Sequence, residues 1–188
     1  MLDRCEWCEG NDLYIDYHDH EWGVPERDSR ALFECLTLEG FQSGLSWITI
    51  LRKREGFRRA FAGFEPSVIA TWGEDDVDRL VQDEGIVRHR GKIASTLKNA
   101  RAWQEIEASQ GFANFIWNYV DGIPLQPKRL SLADVPGKTD LSTQISKDLK
   151  KAGFGFCGPT TVYAFMQAAG LVNDHVVTCH RYAALGGK

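Results

Sequence analysis

No hydrophobic run in this 188-residue chain approaches the ~20 apolar residues that cross a bilayer. The N-terminal stretch MLDRCEWC has no apolar core of the kind a signal peptide carries. A cytoplasmic protein with no membrane partner is expected. An excess of basic charge is also missing: 22 Lys and Arg stand against 26 Asp and Glu, giving −4. That excludes a generic nucleic-acid coat, which would be basic throughout. It leaves room for a local basic face, and Lys147, Lys150, Lys151 and the run Arg88, His89, Arg90, Lys92 are available for one. No Walker A loop, dinucleotide fingerprint, HExxH or G-x-S-x-G elbow occurs, so nucleotide, metalloprotease and serine-hydrolase readings lose support. Repeats, linkers and low-complexity segments are absent, which favours a single domain over residues 1–188, built as two helical lobes sharing one cleft. Cysteines number five, an odd set in a chain without an export signal, and point to reduced thiols or metal ligation rather than disulfides.

What is present is helical. No segment alternates apolar and polar residues as a half-buried strand does, so the fold class is all-α. Asp28 is placed to cap a helix over 29–38, with Leu32, Cys35 and Leu36 on one face. Gly40 and Gly44 read as a break, after which Leu45, Ile48 and Leu51 start a helix that ends near Arg52–Arg54. Short helices follow at Pro66 and after Glu74-Asp75-Asp76, then a long one to about Ala108 and another from Phe112. The segment 121–140 holds three prolines and reads as a surface loop. Residues 1–27 and the tail after Val176 show little periodicity.

The stretch 141–170 is the most organised. Ile145 and Leu149 share a helix face, Gly153 ends that helix, and Pro159 suits the first position of the next. Between them GFGFCG sets glycines at 153, 155 and 158. Such a hairpin presents free amides at a helix N-terminus, a site for a DNA phosphate, with Lys150 and Lys151 alongside. An ordinary αα-turn has the same pattern.

Two constellations carry chemistry. Cys5 and His18 near one end, with His175 and Cys179 near the other, supply the two thiolates and two imidazoles of a closed zinc site. His175 and Cys179 are four apart and face the same way if that stretch is helical. Cys8, His20 and His180 are rival ligands, and Cys5-x2-Cys8 has zinc-like spacing. The second set is aromatic and acidic: Trp7, Tyr14, Tyr17, Trp22, Glu39 and Trp47. Aromatic faces sandwich an extruded base, and a carboxylate among them favours a cationic ring. Asp174 is the one acid shortly after the second hairpin helix, where some DNA-repair enzymes place a catalytic aspartate. Its position beside His175 suggests instead a part in orienting the metal ligands. No lysine lies between Gly158 and Lys188, which disfavours a Schiff-base lyase.

Five segments together resemble the 3-methyladenine-DNA glycosylase I family: Leu13 to Pro25, Leu38 to Trp47, Gly85 to Ile93, Gly153 to Gly158 and Gly170 to Val177. The resemblance runs from Cys5 to Cys179, although His180-Arg181 and the short tail depart from it. It implies a helix-hairpin-helix helical bundle that flips 3-methyladenine out of alkylated double-stranded DNA and hydrolyses its N-glycosidic bond, with 3-methylguanine as a second substrate. It implies one structural Zn2+ per chain on Cys5, His18, His175 and Cys179, a clip joining the N- and C-terminal segments. It implies that Tyr17, Glu39 and Trp47 line the base pocket, with Trp7 and Trp22 as neighbours and Glu39 acting in recognition or catalysis. The working species is expected to be a monomer without an obligate protein partner. The rivals are a non-catalytic DNA-binding module that uses the hairpin alone, and a zinc hydrolase with an open coordination position.

Overall fold

The computed structural model describes residues 2–188, which form ten α-helices joined by short 3-10 turns, with no β-strand among the described residues. In chain order the helices are α1 (Asp12–His20), α2 (Ser29–Gln42), α3 (Trp47–Ala60), α4 (Pro66–Ile69), α5 (Glu74–Leu80), α6 (Arg90–Gln110), α7 (Phe112–Trp117), α8 (Asp140–Lys151), α9 (Pro159–Ala168) and α10 (His180–Ala184). None is long and apolar enough to cross a membrane.

Two apolar cores flank a pair of shared helices. On α2, Leu32 and Leu36 enter one core, while Phe33, Leu38 and Phe41 enter the other. On α6, Ala102 and Ile106 join the first, and Ile93, Leu97 and Ala100 the second. Opposite faces of each helix are therefore apolar, as a helix between two cores requires. The first core is closed by α7, α8 and α9, the second by α3, α4 and α5. In the second core the rings of Phe41, Phe57, Phe61 and Phe64 lie in a chain with centroids 4.7 to 6.3 Å apart. Full burial of each ring contributes roughly 1.5–3 kcal/mol.

The expected cap is present: Asp28 accepts from the Ala31 amide at 2.8 Å. Glu65, just ahead of Pro66, caps α4 by accepting from Ser67. The hairpin is also as expected: α8 stops before Gly153, whose φ of +105° only glycine adopts freely, and Pro159 opens α9.

Four readings are corrected. Gly40 does not end a helix, because α2 continues to Gln42. Its glycine serves a close approach: a Cβ there would lie 3.2 Å from the Phe156 carbonyl of the hairpin. Helix α3 starts at Trp47, not at Leu45, and runs past Arg52–Arg54 to Ala60. Arg54 is a mid-helix residue that grips both oxygens of Glu21. Residues 12–20, read as aperiodic, are helix α1, capped by the Asn11 side chain on the Leu13 and Tyr14 amides. Its buried side is Tyr17 and His18 rather than an aliphatic stripe, so no periodicity announced it. The tail likewise holds the short helix α10, while His175 and Cys179 meet across irregular chain rather than on a helix.

Of the basic run 88–92, Arg88, His89 and Arg90 are exposed, but Lys92 is not a surface cation. Lys92 is buried and donates to the carbonyls of Phe41 (2.9 Å) and Ser43 (2.6 Å) at the end of α2. Those carbonyls have no partner inside the helix, and a cation there also complements its dipole. Arg90 is paired with Glu74 and Asp78, and Arg88 faces Glu84 at 3.7 Å.

Candidate base pocket and metal-ligand cluster

A cavity of about 410 Å³ opens between the N-terminal segment, the end of α2, the start of α3 and the chain after α9. Trp7, Tyr17, Trp22, Glu39 and Trp47 all line it. Trp47 owes its place to being the first residue of α3, and that helix start is held by Tyr14, whose hydroxyl accepts from the Ile48 amide at 2.9 Å. Tyr17 lies near the end of α1 with its ring 5.5 Å from that of Trp47. The indole N–H of Trp47 is buried without a hydrogen-bond partner.

Glu39 stands on the last turns of α2, 5% exposed, and no protein group among the described residues donates to its carboxyl. Burial alone pushes its pKa up to about 8. Burial, then the Glu39 charge, also pushes the Tyr17 hydroxyl well up, so that group remains a donor. A carboxyl and a phenol therefore share an aromatic-walled cavity in which no protein group among the described residues bonds either of them.

Asp174 also borders the cavity, but its carboxylate is fully engaged. It accepts from Arg129 Nε at 2.9 Å, from the Tyr163 hydroxyl and from Gln167 Nε2 at 2.9 Å. The expected part in orienting His175 is thereby corrected, since its partners lie on the loop before α8 and on α9.

Behind the aromatic wall sit Cys5, His18, His175 and Cys179, all buried, with one donor atom each and all four within 4.8 Å of one another. This cluster could hold a metal ion. Cys179 Sγ lies 3.5 Å from His18 Nε2 and 3.5 Å from His175 Nδ1, and Cys5 Sγ lies 3.6 Å from His175 Nδ1. Each imidazole is turned by its other nitrogen: His18 Nδ1 meets Asp19 Oδ1 at 2.8 Å, and His175 Nε2 meets the Trp22 carbonyl at 3.1 Å. Hydrogen bonding from Cys5, then from the two histidines, pushes the Cys179 thiol far down, so one thiolate is already favoured. Trp22 lies 4.6 Å from the His175 ring, and Trp7 lies 5.5 Å from the His18 ring and 5.1 Å from Trp22. The pocket wall thus leans directly on the cluster. The rival ligands stand apart: Cys8 Sγ donates to the Cys5 carbonyl, His20 pairs with Asp16 on the surface, and His180 bonds the Asp3 carbonyl.

At the hairpin, Lys150 and Lys151 are exposed on the last turn of α8, with no carboxylate within 4 Å. The glycine amides differ from expectation. The Gly155 amide is taken by Asn99 Oδ1 at 2.7 Å and the Gly153 amide by the Lys150 carbonyl, so of the three only Gly158 lacks an internal acceptor among the described residues. Gly155 is needed for space, since a Cβ there would sit 2.4 Å from Ser95 Oγ. Residues with no motif or spacing to single them out also border the cavity: Leu130, Leu132 and Val135 from the proline-rich loop, and Gln167 from α9.

Residues 7–182 match the family model described as methyladenine glycosylase. The chain is 52% identical to DNA-3-methyladenine glycosylase 1 of Escherichia coli (strain K12), over 96% of its own length and 97% of that protein's. It is 49% identical to DNA-3-methyladenine glycosylase of Haemophilus influenzae, over 95% and 97%. A crystal structure of 3-methyladenine DNA glycosylase I superposes with a TM-score of 0.93 at 53% identity, covering 95% of this chain and 98% of that one. The Staphylococcus aureus enzyme, solved for the structural basis of 3-methyladenine recognition, superposes at 0.92 with 42% identity, over 95% and 96%. The chain belongs to the methyladenine glycosylase family.

Proposed function

We infer that this protein is a monofunctional DNA-repair glycosylase. It flips 3-methyladenine out of alkylated double-stranded DNA and hydrolyses the N-glycosidic bond, leaving an abasic site; 3-methylguanine fits the same logic. One observation carries the reading: the Glu39 carboxyl is buried in an aromatic-walled cavity with no protein donor.

Methylation at N3 makes the nucleotide's purine cationic. A cation entering between Tyr17 and Trp47 gains from their ring faces, and its charge lowers the pKa of Glu39, whose proton passes to water and whose carboxylate then pairs with the base. A neutral adenine gains neither. When the N9–C1′ bond breaks, its electron pair goes to the base, which leaves neutral. The positive charge passes to the sugar, where the Glu39 carboxylate steadies it. Water adds at C1′ and loses a proton. No lysine lines the cavity among the described residues, and Asp174 is occupied, which supports hydrolysis without strand cleavage.

The cluster of Cys5, His18, His175 and Cys179 fits one structural Zn2+. Tetrahedral bonds of about 2.3 Å to sulfur and 2.0–2.1 Å to nitrogen separate neighbouring S and N donors by about 3.6 Å, close to the 3.5 and 3.6 Å spacings of this cluster. With all four residues bound to it, the metal would have no open position and would supply structure and not a hydrolytic water. The Gly158 amide at the start of α9, with Lys150 and Lys151, would hold a phosphate of the bound strand. A DNA substrate and five unpaired thiols support a cytoplasmic setting. The working species in this reading is a monomer, a single domain whose two lobes share the cleft.

The test is base release from methylated duplex, with freed bases identified by chromatography. Release of 3-methyladenine with 7-methylguanine retained is expected. No release from zinc-replete protein would overturn the reading in favour of a non-catalytic DNA-binding module, which gives Glu39 no task.

A further inference from the structure

Tyr17 and Trp47 stand on different helices, α1 and α3, with ring centroids 5.5 Å apart. One tie between these helices is the Tyr14 hydroxyl, which accepts from the Ile48 amide. The second is an ion pair. Arg54 donates from both terminal nitrogens to both carboxylate oxygens of Glu21, at 2.5 and 2.8 Å. Glu21 closes the last turn of α1, where its amide donates to the Tyr17 carbonyl at 2.9 Å. Arg54 follows Trp47 on α3 by two turns, on the same face of the helix. A second cavity, of about 260 Å³, shares Tyr17 and Trp47 with the base cavity, and Glu21, Leu38 and Arg54 border it as well. On that side the two rings meet space, so packing alone does not fix them.

We propose that the Glu21–Arg54 pair positions Tyr17 and Trp47, setting the width of the base slot and with it the selection of a small N3-methylated purine over a bulkier methylated base. The inference rests on the reading of Tyr17, Trp47 and Glu39 as the base pocket. A guanidinium that meets a carboxylate at two points fixes angle as well as distance, which a single bond between flexible chains does not. Both groups are partly buried, with 20% of the Arg54 side chain and 39% of the Glu21 side chain exposed, so water competes less for the pair than at an open surface. The fork therefore holds α3 in register with the end of α1. If it opens, the second cavity gives Tyr17 and Trp47 room to spread. A slot that spreads loses contact with the faces of a flat base and admits a larger one. Neither Glu21 nor Arg54 borders the base cavity, so both act through the rings and not on the substrate.

The experiment compares wild type with Arg54→Lys, Arg54→Met and Glu21→Gln. Lysine keeps the charge and loses the fork, methionine keeps an unbranched stem, and glutamine keeps the shape of Glu21. Thermal midpoints report whether each variant is folded. Three quantities are then read: affinity for free 3-methyladenine by tryptophan fluorescence, affinity for unmethylated duplex, and single-turnover release of 3-methyladenine and 7-methylguanine from methylated duplex at saturating enzyme. Arg54→Met is expected to weaken free-base binding and lower the saturated rate by about ten- to a hundredfold, the cost of misplaced groups around a reacting base. Unmethylated-duplex affinity, which phosphate contacts dominate, should stay within about twofold. The ratio of 7-methylguanine to 3-methyladenine released should rise. Arg54→Lys and Glu21→Gln should show smaller shifts in the same direction. Rates and free-base affinities of folded Arg54→Met within about twofold of wild type would overturn the proposal. So would an Arg54→Lys variant indistinguishable from wild type, since one ammonium cannot reproduce the fork. A loss that extends equally to duplex affinity and follows a lower thermal midpoint would assign the pair to stability and sink the positioning role. Wild type that binds free 3-methyladenine yet releases none from DNA would reject the glycosylase reading, while weaker free-base binding by Arg54→Met would leave the positioning role standing.

Discussion

His18 Nδ1 and Asp19 Oδ1 stand 2.8 Å apart, although the two residues are adjacent in sequence. The same carboxylate takes Nε and Nη2 of Arg4, at 2.8 to 3.0 Å. Arg4, first, holds the Asp19 carboxyl well below the usual range, so it is ionised throughout the working pH range. An ionised acceptor fixes the proton on Nδ1 and turns Nε2 toward the two thiols. Asp19→Asn should therefore lower metal affinity by about 10- to 100-fold, measured by competition with a chromophoric chelator. Unchanged affinity would remove Asp19 from the support of the site.

Metal analysis should return one zinc per chain. Cobalt substitution should give the intense visible absorption of a tetrahedral thiolate site. Cys8→Ser should retain the metal, because its thiol donates to the Cys5 carbonyl and stands outside the cluster. Cys179→Ser should lose it. Loss of metal from the Cys8 variant would restore the rival ligand set.

Glu39→Gln should cut release of 3-methyladenine from duplex by about tenfold or more, since it removes a charge facing the cationic base and sugar. Single-turnover rates at saturating enzyme report this step. A rate within twofold of wild type would leave recognition and catalysis to the aromatic residues.

The same substitution has an opposite effect on stability. The folded pKa of Glu39 is raised from 4.5 to about 8 by burial, so the folded state holds its proton more tightly than the unfolded chain. Wild-type stability from this group is fully present below pH about 4.5 and declines as pH rises through about 8. Relative to wild type, Glu39→Gln should therefore gain nothing at pH 4 and on the order of a few kcal/mol above pH 8. Denaturant midpoints at the two pH values test this, and a gain that is flat with pH would contradict the burial argument.

Lys92→Met should destabilise the protein by about 1–3 kcal/mol, because it strips the cation from the buried carbonyls of Phe41 and Ser43. The thermal midpoint should fall by roughly 3–10 °C for a chain of this size. An unchanged midpoint would mean that the end of α2 finds other donors.

Helix order and the hairpin were legible because they rest on local rules: Asp28 as a cap, Pro66 and Pro159 at first positions, Gly153 at a stop. Helix α1 was hidden because its buried side chains, Tyr17 and His18, serve the cavity and the cluster and leave no aliphatic stripe. Gly40 and Lys92 misled for one reason: each answers to a neighbour distant in sequence, the Phe156 carbonyl for one and the end of α2 for the other. The four cluster residues and the five cavity residues named from sequence do come together in space. Leu130 and Leu132, which also line the cavity, carried no periodicity or motif and are seen there only in three dimensions.

The cluster also orders events in time. Cys5 is 170 residues from His175, and His18 is 161 from Cys179. A ribosome delivers the first pair long before the second. The aromatic wall, which leans on His18 and His175, cannot set until the last segment has emerged. A chain lacking His175 and Cys179 is therefore left with the cavity wall of Trp7 and Trp22 unsupported on that side.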